Sequence, residues 1–211
     1  MRTEDLARIW NAMYLSRCAY DNRLLPVGGG WSEPRMILDH GFAISRLGTL
    51  YVYFRGSEDV EDWLTNVDAD PDENGVHSGF MALYASLLPA MVEAMSPFVE
   101  TVIEFGGHSL GGALATIAAA STPGAESITF AAPRVFSASR AETLPWAGMR
   151  VANERDIVPH LPGRLSWCSY EHRALAYRFK GDSFDFLKAH SIEHSYSPAL
   201  SGTFEGPMDL K

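Results

Sequence analysis

The sequence predicts an α/β fold, with a central, mostly parallel sheet flanked by helices. Three observations predict it. Short β-rich runs alternate with helical runs along the chain. The stretch "FGGHSLGGALATIAAA", Phe105 to Ala120, sets a serine among glycines between a strand-like and a helix-like segment. Hydrophobic residues make up 46% of the 211 positions, enough for one full core, so a single domain over 1–211 is expected.

The elements follow in order. Leu6, Ile9, Trp10, Met13 and Tyr14 fall at helical spacing, which predicts a helix over Leu6 to Tyr20. "LPVGGGW" breaks it, and "MILDHGFAISRLGTLYVYFRG" reads as strands, the clearest being Thr49 to Phe54. "VEDWLTNVDADPDENG" predicts a short helix and an acidic loop. Phe80 to Phe98 is helical, with interruptions expected at Pro89 and Pro97. Thr101 to Phe105 leans to β, and Ala113 to Ala120 is helix-forming by composition. "SITFAAPRV" and "MRVANERDIVPHLP" each give a strand and a loop, and Leu175 to Phe179 a last strand.

Composition narrows the function. The formal net charge is −9 with no basic block, which argues against nucleic acid and gives no attraction to anionic membranes. No uninterrupted apolar run approaches about 18 residues, so no membrane insertion is expected. "MRTEDLARIW" carries acids where a secretory leader needs an apolar core, so a cytoplasmic location is expected, with extracellular release by lysis or a specialised route as the alternative. Cys18 and Cys168 make neither a disulfide framework nor a metal motif, and neither metal nor cofactor is expected.

Gly107-His108-Ser109-Leu110-Gly111 fits G-x-S-x-G, with strand before and helix after. The chemistry explains the glycines. A nucleophilic serine on a strained strand-to-helix turn needs neighbours without side chains two positions either side, and the helix behind it points amides at whatever the serine attacks. His108 faces elsewhere on such a turn and reads as structural. A serine nucleophile needs a histidine base and a buried acid, in chain order Ser, Asp, His. Asp156 follows the apolar "MRVAN" run and is the candidate acid. His190 and His194, both in "AHSIEHSY", qualify as the base. The Leu110 amide, directly after the serine, is one candidate oxyanion donor.

With these residues the chain resembles the class 3 (fungal-type) lipase family of α/β-hydrolases. "YVYFRGSEDVEDWLTNV", "VHSGFMALY", "GHSLGGALA", "TFAAPRV" and "RVANERDIVPHLP" resemble family blocks in the family's order. The resemblance implies an α/β-hydrolase fold and an acyl-ester hydrolase with Ser109 as nucleophile and the Asp156 of "DIVP" as acid. It places the second oxyanion donor at Ser57. "HSIE" resembles the family's histidine block, which favours His190, whereas "EHSY" read alone favours His194. The family's tyrosine falls five positions after its histidine, and here Tyr196 is six on. Val60, Trp63, Leu64 and Val67 form one apolar stripe. It reads either as a helix packed on the core or, by the resemblance, as a lid over 58–70. Four acids beside it depart from a lipid-seeking lid. The expected partner is a lipid or small-ester substrate, met at most transiently at an interface. A phospholipase or acyltransferase on the same triad, or a silent binding protein of this fold, are the alternatives.

Overall fold

The computed structural model describes residues 3–57, 70–145, 148–163 and 168–200, and the backbone of 209–210. The chain opens with α1, Thr3–Cys18, whose first turn holds Glu4 and Asp5 and whose last holds Arg17. That charge order complements the helix dipole. Three strands follow: β1 (Arg35–Met36), β2 (Gly41–Arg46) and β3 (Thr49–Phe54). Then come α2 (Ser78–Met95), β4 (Val102–His108), α3 (Leu110–Ser121), β5 (Glu126–Phe130), β6 (Phe136–Ser137) and α4 (Ala138–Thr143). The last part holds β7 (Met149–Asn153), β8 (Tyr170–Glu171), β9 (Leu175–Phe179), α5 (Phe186–His190), a π-helical turn (Ile192–Tyr196), α6 (Ser197–Leu200) and β10 (Asp209–Leu210).

Eight strands form one sheet in the order β1-β2-β3-β4-β5-β7-β9-β10. The inner five, β3, β4, β5, β7 and β9, run parallel. The edges are antiparallel hairpins or short additions, and β6 pairs separately with β8. Alternate side chains of a strand point to opposite faces, and the two cores divide accordingly. Val52 and Phe54 of β3 join Phe105, Leu114 and Phe80 on the face covered by α2 and α3. Tyr53 joins Ile9, Met13, Phe130 and Tyr177 on the face covered by α1.

Polar ties fix α1 to its face. Arg8 donates to Glu104 at 3.1 Å and to Glu126 at 2.7 Å, and the Tyr53 hydroxyl donates to Glu104 at 2.7 Å. Burial raises the Glu104 carboxyl above its usual range, against the lowering by Tyr53 and Arg8.

Two expectations need correction. The helix over 78–95 is continuous through Pro89, which lies on its exposed face. There water can satisfy the carbonyl that a proline leaves without a partner. Pro97 does mark the end, two residues past Met95. α2 is also long and apolar enough, by length and composition alone, to cross a membrane, although polar residues interrupt its apolar run. One face of it, Phe80, Tyr84, Leu87, Met91 and Ala94, is packed into the core. Residues 58–69, with the expected lid stripe of Val60, Trp63, Leu64 and Val67, lie outside the described residues.

A proline in a helix interior costs about 3 kcal/mol, partly offset by the entropy it removes from the unfolded chain. Pro89→Ala is expected to raise the unfolding free energy by about 1–2 kcal/mol, read from urea midpoints.

Candidate active site

Ser109 directly follows β4 and immediately precedes α3, with φ 58° and ψ −126°. This is a backbone region that residues with side chains rarely occupy. The neighbours explain how it is held. A methyl group at Gly111 would stand 2.2 Å from the Phe54 carbonyl oxygen, and one at Gly107 would stand 2.6 Å from the same oxygen. The turn therefore closes only with glycine at both positions. The Ser109 amide donates to the Phe130 carbonyl at 2.9 Å, which ties the turn to β5.

Asp156 follows β7. Its amide donates to the Asn153 carbonyl at 3.0 Å, and its carboxylate accepts from the Val158 amide at 3.0 Å. His190 closes α5, whose N-terminus is capped by Asp185 accepting from the Leu187 amide at 3.0 Å.

These three side chains, far apart in sequence, meet. His190 Nδ1 lies 3.0 and 2.9 Å from the two Asp156 oxygens, and His190 Nε2 lies 2.8 Å from Ser109 Oγ. An ionised carboxylate only accepts, so Nδ1 carries the hydrogen and Nε2 is the acceptor for the serine hydroxyl. All three residues are buried, at 2% exposure or less. The other candidate base, His194, is exposed on the π-helical turn, with its amide bonded to Ser191 Oγ at 3.2 Å.

Ser57 and Leu110 flank the serine. Leu110 is the first residue of α3, where helical amides have no partner within the helix. Ser57 follows Gly56, whose own added methyl would stand 3.1 Å from Ser109 Cβ. Both are partly buried.

Several residues around this centre were not singled out as functional from the sequence. Tyr196 donates to Asp156 at 2.7 Å and accepts from the Asn153 amide at 3.0 Å. The Asn153 side chain donates to the Ala189 carbonyl at 3.1 Å and to Ser195 Oγ at 3.0 Å, and accepts from the amides of Arg155 and Gly181. A polar residue ending an apolar strand was the only signal for it. Tyr196 sat in view as a spacing departure, and it lies on the π-helical turn. Its Tyr196 amide reaches back five residues to the Ser191 carbonyl at 3.3 Å. Such a turn accommodates one extra residue within a helix.

His108 stays away from the serine hydroxyl, but it does touch the site. Its Nε2 lies 2.7 Å from the His190 carbonyl and its Nδ1 lies 2.9 Å from the Tyr20 hydroxyl. A carbonyl only accepts, so the ring is the Nε2–H form and Tyr20 donates to it. Burial, then the neighbouring His190, holds the His108 pKa well below its usual value. His77 caps α2 by accepting from the Phe80 amide at 3.4 Å. Cys18 and Cys168 are both free thiols. Among the described residues no cluster of three or more histidine, cysteine or acidic side chains could hold a metal ion.

Residues 51–166 match the family model described as Lipase (class 3). The chain is 31% identical over 136 residues to a lipase of Rhizomucor miehei, covering 54% of this chain and 38% of that one. It is 31% identical over 155 residues to secreted mono- and diacylglycerol lipase 1 of Fusarium solani, covering 64% and 45%. It is 28% identical over 158 residues to the chloroplastic phospholipase A(1) DAD1 of Arabidopsis thaliana, covering 57% and 35%. It thus spans less than half the length of each of these relatives. In fold it is similar to the crystal structure of a lipase from Rhizopus microsporus var. chinensis, with TM-score 0.68 at 22% identity, covering 87% of this chain and 77% of that one.

These relatives correct one expectation. The Fusarium protein is named as secreted and the Arabidopsis protein as chloroplastic, so the cytoplasmic location read from the first ten residues does not stand. Most of those residues are the opening turns of α1, so their pattern reports helix formation rather than an address.

Two outcomes follow from the buried groups. His108 stays neutral when folded, whereas in the unfolded chain it takes up a proton below about pH 6.5. Its contribution to stability is therefore complete above that pH and is lost as pH falls below it. Urea midpoints should drop between pH 7.5 and 5.5, with a shallower drop in His108→Gln. Tyr196→Phe strips Asp156 and the Asn153 amide of a buried partner and should cost about 1–3 kcal/mol in the same assay.

Proposed function

Because the chain belongs to the class 3 lipase family, we propose that it is a serine carboxylester hydrolase, acting on lipid or small acyl esters. The observation that carries this reading is the continuous hydrogen-bonded line from Asp156 through both nitrogens of His190 to Ser109 Oγ. Ser109 Oγ attacks the ester carbonyl carbon as its proton passes to His190 Nε2. Asp156 holds the imidazolium that forms, and the amides of Ser57 and Leu110 receive the oxyanion. The carbon–oxygen bond to the alcohol then breaks, and His190 returns the proton to the departing oxygen. Water enters, gives a proton to His190 and attacks the acyl-serine. The same proton then returns to Ser109 as the carboxylic acid leaves. Tyr196 and Val158 keep the acid fixed throughout, and His108 holds the histidine's backbone.

The test is hydrolysis of nitrophenyl esters of increasing chain length. Ser109→Ala and His190→Ala should each lower kcat by about a thousandfold or more, and His194→Ala by no more than about twofold. Activity in Ser109→Ala equal to that of the unaltered protein would remove the proposal.

A further inference from the structure

A second built feature stands behind the Asp156 loop. β7 and β9 pair in parallel, with Arg150 opposite Ala176 and Arg178 opposite Ala152. Paired residues project to the same face, so the two arginines are diagonal neighbours with alanines at the other corners. Arg134 reaches the same space from the loop after β5. Its Nη1 donates to the carbonyls of His160 at 2.8 Å and Pro162 at 3.2 Å. His172 lies 2.8 Å through Nε2 from the Pro159 carbonyl. Between them lies a cavity of about 260 Å³, lined by these three arginines, His160 and His172. Among its described lining residues, Glu154 alone carries a carboxylate.

Guanidinium groups in protein interiors are ordinarily matched by carboxylates. Here Arg150 Nε is buried with no acceptor. Among the described residues, no carboxylate forms an ion pair with Arg134, Arg150 or Arg178. Burial, then Arg178 and Arg134, push the Arg150 pKa down to about 10, while Glu171 acts on Arg134 in the opposite sense. In a chain with a formal net charge of −9, acids were not in short supply. Three arginines against one lining carboxylate leave a surplus of positive charge that fits an anion. A planar fork of donors from several arginines suits the tetrahedral oxygens of phosphate.

We propose that this cavity binds a phosphate group, carried by a soluble phosphate ester or by a phospholipid headgroup. The proposal does not depend on Ser109 being a nucleophile, and the test keeps the two apart by using Ser109→Ala protein throughout. Inorganic phosphate and glycerol 3-phosphate are titrated by calorimetry at fixed ionic strength. Phosphatidylcholine vesicles with and without phosphatidic acid are tested by co-sedimentation. Saturable one-to-one binding is expected, weakened about tenfold or more by Arg150→Gln and by Arg178→Gln. Arg23→Gln removes the same charge from an exposed site elsewhere and should leave it unchanged. Arg178 is exposed, so its variant keeps the test valid if Arg150→Gln fails to fold. Arg178-dependent binding confined to the vesicles names the headgroup as the source, and binding of the free esters names a soluble ligand. Absence of saturable binding in every arm, or equal loss in Arg23→Gln, overturns the proposal.

Discussion

The end of β3 and the start of α3 approach each other closely, and the Phe54 carbonyl faces Gly111 with no room for a side chain. The geometry around Ser109 depends on it. A serine with φ 58° and ψ −126° carries a backbone strain on the order of 1–3 kcal/mol. The strain persists because β3, β4 and β5 fix the strand end on both sides and α3 cannot retreat from β3. The reward is a hydroxyl lifted off the strand end, with a helix start beneath it.

A second dependency concerns the acid. Asp156 is almost wholly buried, and a buried carboxylate is tolerated only when its oxygens are satisfied. Its partners come from three separate pieces of chain: the Val158 amide from its own loop, His190 from α5, and Tyr196 from the π-helical turn. Asn153 joins the same pieces at a lower level, using both ends of its amide. A network in which every member is satisfied rigidifies, since moving one group leaves several others unpaired. The cavity on the far side of this loop, walled by arginines, shares that scaffold through Asn153, Pro159 and His160.

What the sequence made legible follows from what is local. Strands of alternating or continuous apolar residues, such as Thr49–Phe54 and Leu175–Phe179, fall where their patterns place them. The turn at Ser109 was readable because its glycines fall within five residues of sequence, although the carbonyl that crowds them, Phe54, comes from β3. The choice between His190 and His194 was not readable from the residues alone, because it depends on which turn faces β4. The roles of Asn153, Tyr196 and the Tyr20–His108 pair were not readable for the same reason, since each works through a partner more than 25 residues away. The continuity of α2 through Pro89 depended on which face of the helix meets water. The arginine cavity left no trace as a motif, because Arg134, Arg150 and Arg178 are gathered by strand pairing and a loop, not by a run of charge.

The π-helical turn has one more consequence. With the π-helical turn over Ile192–Tyr196, the chain spans six positions from His190 to Tyr196 while both residues still reach Asp156. Three-dimensional position is thereby uncoupled from residue count at this point of the fold. Sequence spacing between these two residues is therefore a poor ruler for the site. The hydrogen bonds that converge on the acid are the better one.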